Sequence, residues 1–416
     1  MAAASPVLAV DFGTSNSAAG ILEQGRPRLI PLGDGETTLP TTFFFDFDTR
    51  ETLMGAAANR ALLNGADGRF MRALKRVLGT NLMHEPRQIL NERTTFVDII
   101  ARFLRQIKDR AEAETGTCFT RALSGRPVFF HGADDPREPQ AEADLRAAYL
   151  AAGFEAVDFL CEPEAAALAC GADRSPGEIG LIVDIGGGTS DFSLFQATQD
   201  GISILANHGL RIGGTDFDKA LSVARVMPLL GKGTQLRKIL GPGRGPVPNA
   251  LFSELATWEL IPFTYTAQNR RQVAEMLRLA EAPEKIARLA TVLEHELGHD
   301  LAFAVERGKI AANSENGRAA IDLGEIEPGL VAPLTAADLM QDLMSFSDQL
   351  GHTAHATLRR ADIAGEKIGR VIYVGGSSLM AFVADRMRRE FPGATHEFSE
   401  VFTAVADGLA IASARR

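Results

Sequence analysis

The sequence predicts an α/β protein with a duplicated core. Nearly the same segment occurs twice, as "VLAVDFGTSNS" at residues 7–17 and "LIVDIGGGTSD" at residues 181–191, so that Asp11 and Asp184 lie 173 positions apart. Each copy is a short apolar run followed by Asp-x-Gly and small hydroxyl residues, the pattern of a buried strand that enters a glycine turn. Strand and helix patterns alternate after each copy, and this alternation is typical of α/β proteins.

Composition and charge indicate a globular chain with more than one domain. At 416 residues the chain is too long for one ordinary core, so two or more domains are expected. Hydrophobic residues make up 45% of the chain and charged residues 23%, as in soluble globular proteins. The net charge of −10 argues against nucleic acid or an anionic membrane as a partner, because both need a basic surface.

Cysteine usage and the N-terminal segment predict a cytoplasmic location. The three cysteines, Cys118, Cys161 and Cys170, have no C-x-x-C spacing, and a sparse odd set is typical of reduced thiols. The first residues, "MAAASPVLAV", carry no basic segment, and their apolar run ends at Asp11. This pattern predicts neither a signal peptide nor a membrane span.

Local patterns predict the elements of the first half in turn. The segment "LPTTFFFDF" is rich in Thr and Phe and predicts a strand, whereas the pattern from residue 53 to 79 is helical. Apolar residues recur at three- and four-residue spacing from residue 94 to 115, which predicts an amphipathic helix. "RPVFFHG" predicts a strand that ends at glycine, residues 138–152 predict a helix capped by Gly153, and "VDFLCEPEAAALACG" predicts a strand that turns into a helix.

The second half repeats this alternation. Strands are predicted at residues 181–184, 192–196 and 203–207. A cluster of glycine and proline at 241–248 predicts a surface loop. Residues 284–313 predict either one long helix or two stacked helices. "RVIYVGGSSLM" predicts a strand, a turn and a helix start, and residues 402–414 predict a closing helix.

The first repeat, "DFGTSNS", has the residues of a phosphate loop. Gly13 allows a tight turn in which successive backbone N–H groups converge on an anion, and the side chains of Thr14, Ser15 and Asn16 add donors. Asp11 is placed to hold Mg²⁺ through water, since Mg²⁺ keeps most of its hydration shell in proteins. Taken alone, the segment fits a plain hairpin turn equally well.

The second repeat, "DIGGGTSD", is the more specific of the two. Three consecutive glycines at residues 186–188 remove every β-carbon near the turn, and a close approach of backbone to phosphate explains so costly a run. Asp184 and Asp191 flank the glycines, and Thr189 offers a hydroxyl group. A flexible linker is the alternative, but the β-rich flanks do not favour it.

Two further segments place polar groups at the ends of elements. Glu162, in "CEPEAAA", ends a strand just before a helix that starts with proline, where a carboxylate could accept from a metal-bound water; helix capping is the alternative. "GGTDFD" is a glycine turn, Gly213 and Gly214, followed by an N-cap at Thr215 or Asp216. A helix N-terminus favours anions, although the segment fits a mere cap as well.

Two segments late in the chain are candidates for other contacts. In "YVGGSS" a strand leads into Gly375 and Gly376, and a flat adenine ring can stack on a glycine backbone; a simple β-to-α turn is the alternative. In "VERGK", Glu306 and Lys309 lie three positions apart on one helix face, where a surface ion pair is the usual interpretation.

The segment "HELGH" matches the H-E-x-x-H pattern of zinc peptidases, in which two imidazoles lie one helical turn apart. Ala302 and Val305 occupy the positions where the extended motif has Gly and His, and Glu306 lies too far along the helix to share one metal. The sequence therefore favours a polar helix face that carries His295 and His299, with a zinc site as the alternative.

Taken in order, these segments resemble the nucleotide-binding domain of the 70-kDa heat-shock chaperones, within the actin-like ATPase superfamily. "DFGTSNS" is similar to the family's first phosphate loop and "DIGGGTSDFSL" to its second, and "EPEAAAL", "GGTDFD", "VERGK" and "VGGSS" are similar to four further family motifs. The motifs run from residue 7 to about residue 378. "GRFMRALKRVLG" and "WELIPFTYTAQNRRQVAEMLRLAEAPEKIARLA" are similar to segments of the short YegD-like branch.

The resemblance implies a particular fold. It is a duplicated actin-like (ribonuclease H-like) ATPase fold, in which two lobes with inserted subdomains surround a nucleotide cleft. Lobe I would be residues 1–178 with a closing helix at 396–416, and lobe II would be residues 179–395.

The resemblance also implies residue roles, with ATP or ADP and Mg²⁺ as cofactors. Asp11 and Asp184 would flank the Mg²⁺ through water, and Glu162 would help to order its water molecules; with Thr189, these are the expected catalytic residues. The expected nucleotide contacts are Gly13, Thr14, Ser15, Asn16, Gly186, Gly187, Gly188 and Thr189 at the phosphates, Gly213 and Gly214 by the sugar and phosphates, Glu306 and Lys309 at the ribose and adenine edge, and Gly375, Gly376 and Ser377 at the base.

Three positions depart from the family pattern. Asn59, in "GAAAN", stands where the family's "GDAAK" motif supplies a lysine beside the γ-phosphate. Losing a cation aimed at developing phosphoryl charge should slow hydrolysis, and Arg60 or Lys75 could substitute. Leu379 and Ile310 replace the arginines that follow the adenine loop and the helix lysine, so the base is expected to be held more weakly or differently.

Together, the paired turns and the resemblance to the family predict a Mg-ATP-binding, slowly hydrolysing, chaperone-like protein. Because the given chain ends at Arg416, we expect it to lack the β-sandwich that binds client peptides in full-length chaperones of this family. A protein client or a co-chaperone is a further expected partner; nucleic acid and membrane are not, and the oligomeric state is left open. The alternatives are a non-hydrolysing nucleotide sensor and a small-molecule, sugar-type kinase with Asp216 or Asp218 as its base.

Overall fold

A computed structural model describes residues 6–33, 35–132, 134–172, 175–199, 201–238, 242–258, 260–314, 318–398 and 403–414. Every predicted site residue lies within these ranges, whereas residues 399–402, 415 and 416 of the predicted closing segment lie outside them. The chain forms two compact units, the first from Met1–Arg211, Gly351–Leu379 and Met387–Arg416 and the second from Ile212–Leu350 and Met380–Arg386. The predicted boundary at residue 178 would separate two lobes that surround a nucleotide cleft. This division of the chain stays a prediction.

The strands and helices alternate along the described chain. The strands are β1 (Val7–Asp11), β2 (Asn16–Glu23), β3 (Arg26–Leu29), β4 (Thr38–Pro40), β5 (Thr42–Asp46), β6 (Thr52–Met54), β7 (Gly68–Arg72), β8 (Arg87–Ile89), β9 (Glu92–Thr94), β10 (Arg121–Arg126), β11 (Ala156–Cys161), β12 (Ile179–Ile185), β13 (Ser190–Thr198), β14 (Gly201–Leu210), β15 (Gln235–Arg237), β16 (Arg244–Pro246), β17 (Arg318–Asp322), β18 (Val331–Thr335), β19 (Arg370–Val374) and β20 (Thr395–Phe398). The helices are α1 (Ala56–Leu63), α2 (Phe96–Thr115), α3 (Glu138–Ala151), α4 (Glu162–Ala169), α5 (Gly214–Leu221), α6 (Ala250–Leu255), α7 (Ala267–Leu279), α8 (Pro283–Glu294), α9 (Gly298–Ala312), α10 (Ala336–Asp342), α11 (Met344–Arg360), α12 (Ala381–Glu390) and α13 (Ala404–Ser413).

Two sheets of the first unit have the same topology. Sheet 1 has the order β3-β2-β1-β10-β11, with β4 beside β2, and sheet 2 has the order β14-β13-β12-β19-β20. In each sheet the central strand pairs antiparallel with the next strand of its hairpin and parallel with a later strand. Asp11 ends the central strand of sheet 1, and Asp184 lies at the matching end of sheet 2. The predicted α/β class with a duplicated core is confirmed.

One hydrophobic core joins the two sheets through α4 and α13. It includes Leu123 of β10, Ile182 of β12, Ile372 of β19, Ala166 of α4 and Leu409 of α13, all of them buried. Helix α4 follows the last strand of sheet 1 and packs on β12 and β14, whereas α13 follows the last strand of sheet 2 and packs on β1, β2 and β3. Helix α4 therefore packs on both sheets, whereas α13, which follows sheet 2, packs on sheet 1.

Glycine at one position allows α13 to approach α4 closely. A β-carbon at Gly408 would collide with the carbonyl oxygen of Ala165. Backbone-to-backbone contact of this kind leaves no room for a side chain larger than hydrogen. The pairing of the two closing helices thus depends on a single small residue.

Several local predictions are confirmed. Helix α2 lies within the segment predicted as amphipathic, and Thr95 caps it in a reciprocal box with Asp98. Helices α3 and α13 and the strands of the second repeat also lie where they are predicted. The segment 284–313 forms two helices, α8 and α9, because the chain turns at Glu296, whose φ is +57°.

Three local predictions are wrong. Residues 53–79, predicted as helical, contain β6, α1, β7 and a 3-10 turn, because β6 and β7 add edges to β5. "RPVFFHG" is not a strand; β10 ends at Arg126, since Pro127 has no N–H to continue a ladder. The glycine- and proline-rich segment around Arg244 forms β16, which pairs with β15, although residue 241 lies outside the described chain.

Among the described residues, no helix is both long enough and apolar enough to cross a bilayer.

Replacing Gly408 by Ala should destabilise the first unit, because the added methyl group must push α13 away from Ala165. We expect the free energy of unfolding to fall by roughly 1–3 kcal/mol in urea titrations. Gly393→Ala is the matched control, since nothing lies within 4 Å of a β-carbon there. Equal stability of the two variants would contradict the close approach of the helices.

Candidate functional site

The first Asp-Gly turn is a tight hairpin anchored on both sides. Phe12 is fully buried, and a β-carbon at Gly13 would collide with the carbonyl oxygen of Asn16. The carbonyl oxygen of Ser15 accepts a hydrogen bond of 2.8 Å from the backbone N–H of Thr41. The apolar anchor beneath the turn and the hydrogen bond beside it hold this loop in place.

The second Asp-Gly turn repeats this design in sheet 2. Asp184 and Asp191 are direct partners across β12 and β13, so both carboxylates lie at the same end of the hairpin. The backbone N–H of Gly186 donates to the carbonyl oxygen of Thr189 at 3.0 Å, which closes the turn. The residues predicted as the second phosphate loop therefore form one compact turn.

The two turns meet. A β-carbon at Gly187 would collide with the hydroxyl group of Ser15, so the second turn lies against the first. Gly188 is equally crowded, because the Arg76 guanidinium occupies the space that a side chain would need. Nη2 of Arg76 donates to the carbonyl oxygen of Gly188 at 3.0 Å. Two of the three consecutive glycines thus serve close contacts that a β-carbon would prevent.

Carboxylates crowd around the meeting point of the turns. Burial, and then the charge of Glu162, raise the pKa of Asp11 to about 7. The same two causes raise the pKa of Asp191 to about 7, although a hydrogen bond from Thr189 opposes the shift. Burial and the charges of Glu162 and Asp191 raise the pKa of Asp184 well above its ordinary value. Glu162, at the first turn of α4, is therefore an electrostatic neighbour of all three aspartates.

One buried cation lies among these acids. Nζ of Lys75 is 2.6 Å from Oε1 of Glu162, and the two side chains are only 9% and 14% exposed. Burial by itself lowers the pKa of Lys75, but the charges of Glu162 and Asp11 outweigh it, so the pKa is raised and the ammonium stays protonated. Asp184 adds to this effect. The structure thus brings Lys75, one of two substitutes weighed for Asn59, into the carboxylate cluster.

A third glycine turn borders the cluster. Gly375, directly after β19, has a φ of +77°, and a β-carbon there would lie 2.8 Å from Oδ1 of Asp184. Glycine is required both for the left-handed backbone and for this close approach. Gly376 and Ser377 continue into a 3-10 turn, Gly376–Leu379, so the predicted base loop adjoins the acid end of sheet 2.

The remaining predicted contacts lie in the second unit. Helix α5 begins at Gly214 with Gly213 as its N-cap, so the cap predicted at Thr215 or Asp216 is wrong. The Asp216 carboxylate accepts a hydrogen bond of 2.9 Å from the backbone N–H of Gly213. Gly213 has no side chain that could cap the helix. The side chain of the third helical residue, Asp216, stabilises the helix start instead.

Lys309 is not part of a surface pair with Glu306. Its Nζ lies 2.8 Å from Oδ1 of Asp218, and both side chains are buried, with exposures of 7% and 5%. The "GGTDFD" and "VERGK" segments therefore meet each other inside the second unit. Asp216 and Asp218, the bases weighed for a kinase, are both engaged within that unit.

The "HELGH" segment is a turn between helices and not a polar helix face. His295 is the exposed C-cap of α8, whereas His299 lies in α9, only 8% exposed, with its ring centroid 6.0 Å from that of Trp258. Tyr265 secures the turn, because its hydroxyl group accepts from the N–H of Gly298 and donates to the carbonyl oxygen of Glu296. Among the residues that the structure describes, no three His, Cys, Asp or Glu side chains are grouped to hold a metal directly.

The positions that depart from the family pattern have distinct surroundings. Asn59 lies in α1, and its side-chain oxygen is buried without a hydrogen-bond partner in the described part of the chain. Ile310 is 62% exposed in the second unit, and Leu379 is 41% exposed in the first.

Arg76 is a site residue that the sequence patterns did not predict. The signal that could have found it is a Lys-Arg pair inside an otherwise apolar segment.

Replacing Asp191 by Asn should stabilise the metal-free, nucleotide-free protein at pH 8. With its pKa raised to about 7, Asp191 keeps a proton in the folded state that the unfolded chain releases near pH 4, so its contribution to stability falls as the pH rises from about 4 to above 7. The asparagine side chain has no carboxyl group to deprotonate, so the variant avoids this loss of stability as the pH rises. Relative to wild type, we expect the Asp191→Asn variant to gain on the order of 1–3 kcal/mol between pH 5 and pH 8 in urea unfolding with EDTA.

The exposed Asp67→Asn is the control for removing one negative charge from the same unit. If Asp191→Asn and Asp67→Asn changed stability alike at both pH values, Asp191 would not lie in a strained acidic cluster.

Comparison with known proteins places this site in a family context. The family model described as Hsp70 protein matches residues 7–227 of this chain. The chain is 35% identical over 222 residues to the "Chaperone protein DnaK" of Endomicrobium trichonymphae, and 33% identical over 217 residues to the protein of that name in Ureaplasma urealyticum. Each alignment covers 52% of this chain and 34% of the relative, so the chain matches about a third of the length of these relatives.

Proposed function

This chain belongs to the Hsp70 protein family, and from that premise we propose that it binds ATP or ADP together with Mg²⁺ and hydrolyses ATP slowly. The observation that carries the proposal is the contact of the two Asp-Gly turns, in which Ser15 of the first lies against Gly187 of the second. Turns that meet across their glycines offer backbone N–H groups to one anion from two sides. A polyphosphate is the ligand whose shape and charge suit this arrangement.

The phosphates would be held mainly by backbone. Gly13 and residues 186–188 provide turns without side chains, and Thr14 and Thr189 provide hydroxyl donors. Gly375, Gly376 and Ser377 adjoin the same end of sheet 2, which supports their assignment to the base. Gly213, Gly214, Glu306 and Lys309 remain sequence-based predictions.

The acidic cluster suits a hard divalent cation. Asp11, Asp184 and Glu162 offer carboxylate oxygens that would hold Mg²⁺ through its water molecules. Burial, and then the charge of Glu162, raise the pKa of Asp11 and Asp184, and a bound cation would relieve the repulsion between the carboxylates. Bound Mg²⁺ would supply charge neutralisation of the phosphates, and Glu162 would orient water near them.

Slow hydrolysis is proposed because the family's lysine is absent at Asn59, although Lys75 supplies a cation to the acidic cluster. Asn59 offers a neutral amide where the family pattern has lysine, and its buried side-chain oxygen has no hydrogen-bond partner among the described residues. A neutral group cannot stabilise the charge that develops on a transferring phosphoryl group. The same observation favours the second candidate, a nucleotide sensor that binds without hydrolysis.

We also propose a chaperone-like role for this protein. The relatives are named chaperone proteins, and a protein client or a co-chaperone is the corresponding partner. The YegD-like subtype and the cytoplasmic location stay predictions from the sequence.

Mg-ATP should raise the melting temperature of the protein in a Mg²⁺-dependent manner. At a concentration of about 100 times Kd, a ligand that binds only the folded state adds about 2.7 kcal/mol of stability. Asp184→Asn should lose most of the Mg²⁺-dependent part, whereas the exposed Asp67→Asn should keep it. Calorimetry that detected neither ATP nor ADP binding up to millimolar concentration would refute the proposed function.

Replacing Asn59 by Lys should increase ATP turnover by about tenfold or more if the rest of the site is competent. Phosphate release under single-turnover conditions measures the effect. Asn64→Lys, at the exposed end of the same helix, is the control for added charge. Unchanged turnover in Asn59→Lys, together with intact nucleotide binding, would favour the sensor over the slow ATPase.

A further inference from the structure

Asp144 of α3 is a buried carboxylate outside the acidic cluster, and its side chain is 0% exposed. It accepts hydrogen bonds from the backbone N–H of Gly79 at 2.8 Å, from Nε2 of His84 at 2.8 Å and from the side-chain amide of Gln140 at 2.6 Å. A carboxylate is costly to bury unless donors of this kind replace its water. The burial of Asp144 therefore depends on these three partners.

Two of the partners belong to one connecting segment, residues 73–84. The 73–84 segment joins β7 to β8 and contains two 3-10 turns. Gly79 lies between the two turns, and His84 is the C-cap of the second. The carboxylate of Asp144 thus holds the segment at two points, and only its hydrogen bond from Gln140 stays within α3.

Backbone packing makes the attachment at Gly79 close. Gly79 has a φ of +78°, and a β-carbon there would lie 2.6 Å from the carbonyl oxygen of Arg137, the N-cap of α3. One residue earlier, the carbonyl oxygen of the buried Leu78 accepts a hydrogen bond of 2.6 Å from a ring nitrogen of His131. The chain is therefore fixed at two consecutive residues just after the first 3-10 turn.

The turn that is fixed in this way carries two cations of the site. Arg76 and Lys75 lie three and four residues before Gly79. Nη2 of Arg76 donates to the carbonyl oxygen of Gly188 in the second Asp-Gly turn, and Nζ of Lys75 donates to Glu162. Because both side chains extend from one short turn, a shift of the C-terminal end of that turn would displace both of them.

We propose that Asp144 is a positioning residue for the proposed nucleotide site and acts through the backbone of the 73–84 segment. It holds the first 3-10 turn where Arg76 secures the second Asp-Gly turn and Lys75 meets the acidic cluster. The effect on turnover rests on the proposed function, whereas the link from α3 to the second Asp-Gly turn needs no nucleotide. The alternative is a role confined to the stability of α3, in which loss of Asp144 would leave the site unchanged.

Hydrogen exchange of the nucleotide-free protein tests the link. In Asp144→Ala, the backbone N–H groups of residues 76–80 should exchange about 10- to 100-fold faster, because a buried donor loses its acceptor. The increase should extend to the N–H of Gly186, which closes the turn that Arg76 holds. Asp144→Asn keeps an oxygen acceptor for the N–H of Gly79 and should restore most of the protection.

Tyr149→Phe is the matched control for these measurements. It removes a buried hydrogen bond of the same helix, from Tyr149 to Ser124, that lies outside the 73–84 segment. We expect this variant to lower the melting temperature and to leave exchange at residues 76–80 and at Gly186 at the wild-type rate.

ATP turnover tests the effect on the site. Misplaced cations should slow hydrolysis more than they weaken nucleotide binding, so kcat in Asp144→Ala should fall by about 10- to 100-fold while KM changes much less. Asp144→Asn should recover most of the turnover. A loss of stability alone would lower the melting temperature and leave kcat of the folded protein unchanged, as we expect for Tyr149→Phe.

Two further variants keep the inference testable if Asp144→Ala does not fold. His84→Ala removes a side chain that is 56% exposed, and Gly79→Ala pushes the segment away from Arg137. Each should speed exchange at Gly186 to a smaller extent. Wild-type exchange at Gly186 in the folded variants overturns the inference, whatever the kinetics show. Wild-type protein that binds neither ATP nor ADP refutes the proposed function, while exchange still decides the link.

Discussion

The close packing of α4 against α13 is the constraint on which the site in the first unit depends. Each helix closes one sheet and packs on the other, and the contact at Gly408 and Ala165 brings their backbones together. The shared core around Ala166 and Leu409 fixes the two sheets relative to each other. Because both Asp-Gly turns end central strands of these sheets, the packing of two helices decides that the turns face one another.

Given that placement, the site carries a large electrostatic cost. Three aspartates with raised pKa values and Glu162 surround a single ammonium group, an arrangement that a stability-optimised interior would avoid. Strain of this kind is typical of functional sites, where groups are arranged for a ligand and not for the empty fold. Lys75 offsets part of the repulsion, and a bound cation would offset more.

The second unit illustrates how a local motif can be misread without its tertiary partners. "HELGH" has the spacing of a metal site, but a left-handed residue at Glu296 breaks the helix that the motif requires. His299 then packs beside Trp258, while His295 stays at the surface. Lys309 is a similar case, because its buried partner is Asp218, which lies far away in sequence. In both cases the spacing along one helix was less informative than the neighbouring elements.

The ordered motifs of the sequence indicated the family by resemblance, and the sequence by itself determined the fold class and the duplicated Asp-Gly turns. Those features depend on local chemistry: apolar runs predict strands, and glycine with a hydroxyl residue or a carboxylate predicts a turn that can hold an anion. Only the tertiary structure decided which charges share the site. Lys75 is separated from Glu162 by 87 positions, and no periodicity connects them. Likewise the fit of Gly187 on Ser15 depends on the packing of α4 and α13, which is a property of the whole core and of no single segment.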